Sequence, residues 1–303
     1  MKPIVVVGSI NMDLVTHVDR IPRPGETLIG TGFQLHPGGK GANQAVAVAR
    51  LGYPCVLLGA VGDDVFGQDL LRNLEAYGVA VCHVLTVPGP SGTASIAVSS
   101  SAENSIIVTH GSNTQVTTKY LADNASLLRE AGMVLAQLEI PLDTVEWLAR
   151  FCAENQVPLM LDPAPARALS ASLLEKVDWF TPNQTEAEFY AGEESATETI
   201  LAKLFGKRIR NVILKRGSEG AWIANANGMR CGIEAFEVAA RDTTAAGDAF
   251  NGAFAVALMR GQSIEECGRF AAAAAAISVT RCGAQPSLAT DQEVVAFMES
   301  VAS

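Results

Sequence analysis

The chain contains no C-x-x-C pair and no Cys/His cluster at zinc-finger spacing, and its four histidines (His17, His36, His83, His110) show no ligand spacing. A structural zinc site or a dithiol redox centre therefore has no ligand set to build on. The six cysteines (Cys55, Cys82, Cys152, Cys231, Cys267, Cys282) are scattered, most of them among apolar neighbours, where a reduced thiol is simply a small core residue. Positive charge is also scarce: Lys and Arg total 22 against 32 Asp and Glu, a formal net charge of −10. That balance leaves no basic face for long nucleic acid or an anionic membrane. A small phosphorylated ligand is not excluded, because a helix N-terminus and one or two lysines can hold it. Met1-Lys2-Pro3 runs straight into Ile4-Val5-Val6-Val7-Gly8, too short for a signal-peptide core, and the alanine-rich run at Ala271 to Ala276 is far shorter than a membrane span. A soluble, cytoplasmic protein is expected. G-x-G-x-x-G after the first strand, G-x-S-x-G and H-E-x-x-H are missing too, which removes the usual signatures of dinucleotide binding, serine hydrolysis and zinc proteolysis.

What is present, in 303 residues of which 49% are hydrophobic, is ample material for one large core. Short apolar runs (Ile4–Val7, Cys55–Val61, Met133–Leu138, Leu159–Leu161, Trp179–Thr181, Val212–Leu214, Ala221–Ala224) alternate with helical patterns. Continuous apolarity predicts strands covered on both faces, as in a parallel sheet, and the alternation predicts a doubly wound three-layer α/β/α domain. Asp143 with Glu146, Ser263 with Glu266 and Thr290 with Glu293 read as capping boxes; Gly52, Gly78 and Gly261 fall where helices should end. Two stretches break the pattern. Residues 11–37 read as extended, and residues 91–112 contain alternating half-exposed strand signals. They fit a small discontinuous β-sheet lid on the 1–303 domain, or equally a pair of surface hairpins.

Two segments carry chemistry. Asp242-Thr243-Thr244-Ala245-Ala246-Gly247-Asp248 is a polar, small-residue turn leading into the apolar helix Ala253 to Leu258. Its backbone N–H groups could approach an anion closely, with Asp248 poised beside it as a base for an incoming hydroxyl. Spacing alone favours the plainer reading, in which Asp242 or Asp248 caps the helix. Pro37-Gly38-Gly39-Lys40-Gly41-Ala42-Asn43 likewise opens a helical run with three glycines and a lysine, but it is not a Walker A loop.

Together these segments resemble the two signatures of the ribokinase-like (PfkB) carbohydrate kinases. The resemblance extends in order through Gly8-Ser9-Ile10-Asn11-Met12-Asp13, Gly59-Ala60-Val61-Gly62-Asp63-Asp64, Leu161-Asp162-Pro163-Ala164-Pro165, Thr181-Pro182-Asn183-Gln184-Thr185-Glu186 and Arg281-Cys282-Gly283-Ala284-Gln285-Pro286-Ser287. It implies an ATP-dependent sugar kinase, with D-ribose the favoured acceptor. Asn11, Asp13, Gly39, Lys40, Asn43 and Glu139 would bind the sugar. Asp248 would be the general base, with Ala245, Ala246 and Gly247 as the anion hole. Asn183, Lys215, Gly217, Gly220, Gly247 and Ala272 would meet ATP, Lys215 standing where many members carry a threonine. Glu186 would act on Mg²⁺ through water. Asp242, Thr244, Ser278, Arg281, Gly283 and Ser287 would surround an activating K⁺, several through backbone carbonyls. A homodimer joined through the lid, near exposed Ile96 and Val98, is also implied. Another sugar, a nucleoside, or a non-catalytic sugar or nucleotide sensor are the alternatives.

Overall fold

Alternate residues of the first apolar run enter opposite layers, which fixes the architecture. In the computed structural model, which describes residues 1–101, 103–192 and 196–302, Ile4 and Val6 join one hydrophobic core while Val5 and Val7 join another on the far side of the sheet. The first core is closed by helices Lys40–Arg50, Ala246–Met259 and Ile264–Val279, the second by Leu142–Asn155, Gln184–Ala191 and Thr197–Gly206. The result is three layers, helix on sheet on helix.

The eight-stranded sheet has the order Arg230–Ile233, Ala221–Asn225, Asn211–Lys215, Trp179–Phe180, Leu159–Leu161, Met133–Ala136, Ile4–Val7, Cys55–Leu58. From Asn211–Lys215 onward the neighbours are parallel. Two expectations need correction. Ala221–Asn225 pairs antiparallel with Asn211–Lys215 despite its unbroken apolarity. Only five residues, 216–220, including the short turn Gly217–Glu219, lie between them, far less chain than a parallel crossover requires. The run Cys55–Val61 is not one strand: it breaks at Gly59, and Ala60–Gly62 leaves the main sheet to pair with Leu85–Val87.

Helix ends follow the side-chain signals with one exception. Ser263 with Glu266 forms a complete capping box, and Thr290 and Glu293 exchange the same reciprocal bonds. Gly52, Gly78 and Gly261 adopt positive φ just past their helices. Asp143 with Glu146 does not cap, because helix Leu142–Asn155 already starts at Pro141; Asp143 lies in its first turn, and Glu146 instead accepts from Ser170 Oγ.

The two extended segments meet in one four-stranded sheet, Gly32–Gly38, Asn11–Val18, Gly92–Ser99, Asn104–Thr109. Its register places Asp13, Ala94 and Val108 on one face and Leu35, Leu14, Ser95 and Ile107 on the other. Ile96 and Val98 are half-buried, contrary to expectation, since they are on an inner strand. The exposed apolar side chains are on the edge strands: Phe33 (60%), Leu35, Ile106, Ile107 (68%) and Val108. No helix among the described residues is long and apolar enough to cross a membrane.

Helix Ala246–Met259 is seated in the first core by Phe254, fully buried and edge-on to Trp179 at 5.0 Å. Phe254→Ala is expected to lower stability by roughly 3–5 kcal/mol. In urea unfolding the midpoint should fall with the slope unchanged; a midpoint within error of the parent would show that this contact does not anchor the helix.

Candidate active site

Each polar residue that matters follows the carboxyl end of a sheet strand or opens a helix facing that edge, where open α/β sheets place their ligand sites. Ser9 and Asn11 follow Ile4–Val7, Gln137 and Glu139 follow Met133–Ala136, Asp162 follows Leu159–Leu161, and Lys215 ends Asn211–Lys215. Helix Lys40–Arg50 presents Lys40, Asn43 and Gln44 on one face, because residues three and four apart align. Its start requires glycine: Gly39 has φ +89°, and a Cβ there would lie 2.7 Å from the Asn11 backbone nitrogen.

The sugar-side candidates are brought together. Ser9 Oγ donates to Glu139 Oε2 at 2.5 Å, and the Lys40 backbone N–H donates to the same oxygen at 3.3 Å. Asn113 Nδ2 donates to Asn11 Oδ1 at 2.7 Å. Asn43 Nδ2 donates to Asp248 Oδ2 at 3.0 Å, while Asn43 Oδ1 is buried without a protein partner. Burial, reinforced by Glu139 and Asp248, pushes the Asp13 carboxyl up to about 7. Burial alone would favour a neutral Lys40, but Asp248, Asp162, Glu139 and Glu186 together outweigh it and hold the ammonium above its ordinary range. Lys40 thus neutralises part of a carboxylate cluster.

Asp248 is 4% exposed and does not cap its helix; the N-cap is Ala245, at φ 60°, with no side-chain cap bond. Burial pushes the Asp248 carboxyl up to about 6, with Asp162 adding to the rise and Lys40, Asn43 and Gln44 opposing it. Gln44 Nε2 donates to its Oδ1 at 3.0 Å. Of the three expected anion-hole residues, Ala246 turns its N–H onto the Thr243 carbonyl at 3.3 Å. The N–H groups of Ala245 and Gly247 meet no protein acceptor among the described residues, and neither does that of Asp248, so two of the three expected donors are free and the next residue adds another.

A cleft of about 910 Å³ opens over this helix end. All six expected nucleotide residues (Asn183, Lys215, Gly217, Gly220, Gly247 and Ala272) line it, together with Glu186, Lys40 and Asp248, so the last two join the cleft to the sugar side. Lys215 Nζ pairs with Asp162 Oδ1 at 3.4 Å in a largely buried bridge. Asn183 and Glu186 form a complete capping box, and burial with Asp162 nearby raises the Glu186 carboxyl.

The remaining group lies beside the cleft. Asp242 accepts from the backbone N–H groups of Thr244 (2.9 Å) and Gly283 (2.8 Å), which hold its carboxyl below the usual range against the opposing effect of burial. The N–H groups of Arg241 and Asp242 both reach the Val279 carbonyl, next to Ser278. Arg281 sends its guanidinium away, onto Glu293 at 2.7 Å, and Ser287 Oγ is spent on the Ala284 carbonyl. Gln44, Gln137, Asp162 and Asn113 were not among the residues singled out for a role. The signal that could have found three of them is position: Gln137 and Asp162 directly follow sheet strands, and Gln44 sits one helical turn after Lys40.

Comparison with known proteins identifies the family. Residues 1–291 match the model of the pfkB family carbohydrate kinases. The chain is 41% identical over 303 residues to a ribokinase of Haemophilus influenzae, covering 98% of this chain and 99% of that one. It is 37% identical over 291 residues to a deoxyribokinase of Salmonella typhi, covering 94% of each. The structure of Arabidopsis thaliana ribokinase complexed with ribose and ATP superposes with a TM-score of 0.91 at 35% identity, covering 98% of this chain and 99% of that one. The chain belongs to the pfkB family of carbohydrate kinases.

Proposed function

We propose that this chain is an ATP-dependent ribokinase, transferring the γ-phosphoryl group of ATP to the 5-hydroxyl of D-ribose in the cytoplasm. The observation that carries the reading is the placement of Asp248: buried, near neutral proton affinity, beside free helix-terminal N–H groups, and shared by the sugar side and the cleft. Asn11, Asp13, Asn43 and Glu139 pair sugar hydroxyls, with Gly39 and Lys40 closing over them. The unpartnered Asn43 Oδ1 suits a hydroxyl donor. Asp248 takes the hydroxyl proton as the oxygen attacks the γ-phosphorus; the bond from that phosphorus to the β–γ bridging oxygen breaks, and ADP leaves. Charge on the transferring group is met by the N–H groups of Ala245 and Gly247, with Ala246 shaping the turn. Asn183, Lys215, Gly217, Gly220 and Ala272 line the nucleotide's place.

The surplus of carboxylates over Lys40 and Lys215 at the cleft fits a divalent cation, and Glu186 would hold Mg²⁺ through water. When bound, Mg²⁺ neutralises phosphate charge. At Asp242 the carboxylate stays ionised with Arg281 turned elsewhere, which fits K⁺ among Thr244, Ser278, Arg281, Gly283 and Ser287, mostly through their carbonyls. The small sheet serves as a lid whose exposed apolar outer face is covered by the lid of a second copy.

In a coupled assay over ribose, deoxyribose, fructose and nucleosides, ribose should give the highest kcat/KM. Asp248→Asn should then cut kcat by roughly two or more orders of magnitude with both substrates still bound. Near-normal turnover in a folded variant would remove Asp248 from the base role, and a clear preference for another acceptor would replace ribose.

Exchanging K⁺ for Na⁺ or a bulky organic cation at constant ionic strength should lower kcat. Equal rates in all three salts would overturn the cation assignment.

Light scattering should report a dimer at micromolar concentration, and Ile107→Lys on the outer lid face should dissociate it. A monomeric parent, or a dimer indifferent to the lysine, would place the interface elsewhere.

A further inference from the structure

Gln44 is 1% exposed, and every hydrogen-bonding need of its amide is met by a different element. Its Nε2 donates to Asp248 Oδ1 at 3.0 Å and to Asp162 Oδ2 at 3.1 Å, while its Oε1 accepts from Gln137 Nε2 at 2.7 Å. An amide nitrogen carries two hydrogens, so each carboxylate takes one. The Gln137 contact decides which end of Gln44 faces the acids: turned over, Gln44 would set its oxygen against two carboxylates and its NH₂ against another NH₂. Gln137 is itself confined, since a Cβ on Gly8 would stand 2.1 Å from Gln137 Oε1. A buried aliphatic side chain would pack this helix as well, and with fewer demands on its neighbours.

We infer that Gln44 is a positioning residue for phosphoryl transfer, fixing the carboxylate plane of Asp248 through one amide hydrogen and tying it to Asp162 through the other. With Oδ1 held in this way, Oδ2, bonded to Asn43 on the sugar side, is the oxygen presented to the reacting hydroxyl. Asp162 in turn holds Lys215, so one amide lies between the proton acceptor and a cation of the nucleotide cleft. The inference rests on Asp248 being the base. It adds that Gln44 helps to lower the proton affinity of that base within a crowded field. Burial raises it most, Lys40 from the same helix lowers it, Asp162 from the sheet edge raises it, Asn43 lowers it alongside Gln44, and Asp13 from the small sheet and Glu139 share the same cluster. A donor to a carboxylate favours its charged form, so removing the donor makes Asp248 harder to ionise.

The test is the pH profile of kcat/KM for ribose from about pH 5 to about pH 9, with a ¹³C-carboxyl NMR titration of Asp248 assigned by Asp248→Asn. In Gln44→Met the acid limb should rise by about one pH unit, because a lost hydrogen bond to a charged group is of that size. At about pH 6 this is roughly a fivefold loss of kcat/KM, with recovery to within about threefold at about pH 8.5. Gln44→Glu, which sets a third carboxylate between the two, should move the limb further up. Gln137→Leu, leaving Gln44 in place but unanchored, should move it the same way by less, and decides the matter should both Gln44 variants fail to fold. An acid limb and carboxyl titration unmoved in the folded variants, even with a lower kcat, would reduce Gln44 to packing. Should Asp248→Asn retain turnover, the base reading falls by itself, while the NMR titration still reports whether Gln44 governs the proton affinity of Asp248.

Discussion

The active-site edge of this protein is governed by electrostatic crowding. Asp13, Glu139, Asp162, Glu186 and Asp248 converge where the sheet strands end, and burial raises the carboxyls of Asp13, Glu186 and Asp248. Lys40 and Lys215 offset part of that rise as cations, and the side-chain amides of Asn43 and Gln44 offset more by donating hydrogen bonds. The balance leaves the Asp248 carboxyl raised to about 6. Were the cluster fully neutralised, Asp248 would be a weak base; were it unopposed, Asp248 would stay protonated.

That constraint explains why the helix Lys40–Arg50 starts where it does. Its first turn must bring an ammonium and two amides against the carboxylates, so the chain entering it passes extremely close to the first strand's exit, and only glycine fits at Gly39. The same entry segment is the end of strand Gly32–Gly38 in the small sheet. The sheet that carries Asn11 and Asp13 is therefore joined covalently to the helix whose Asn43 and Gln44 hydrogen-bond Asp248. The sheet's apolar outer face leaves Phe33, Leu35 and Ile107 exposed.

The three-layer architecture was legible in the sequence because burial on both faces of a central strand demands an unbroken apolar run, and Ile4–Val7 is one. Pattern failed where chain length overrode it. Ala221–Asn225 reads as a parallel strand and is antiparallel, since a five-residue connection cannot carry a crossover. The Asp143–Glu146 spacing suggested a cap, but the helix had already begun at Pro141. The half-burial of Ile96 and Val98 came from strand order, and a residue's own alternation does not reveal whether its strand is inner or edge.

The sequence by itself determined the family, the layers and the glycine-rich turns, because local conformational demands leave local marks. Capping boxes at Ser263 and Asn183 and positive φ at Gly39 are properties of a few adjacent residues. Only the tertiary structure decided which groups share an electrostatic environment. Gln44, Gln137, Asp162 and Asp248 are scattered along the chain from position 44 to position 248 and meet only because parallel strands end at one edge. A pKa set by burial and by partners so distant in sequence has no local signature, and neither does the choice of Glu293 over Asp242 as the partner of Arg281.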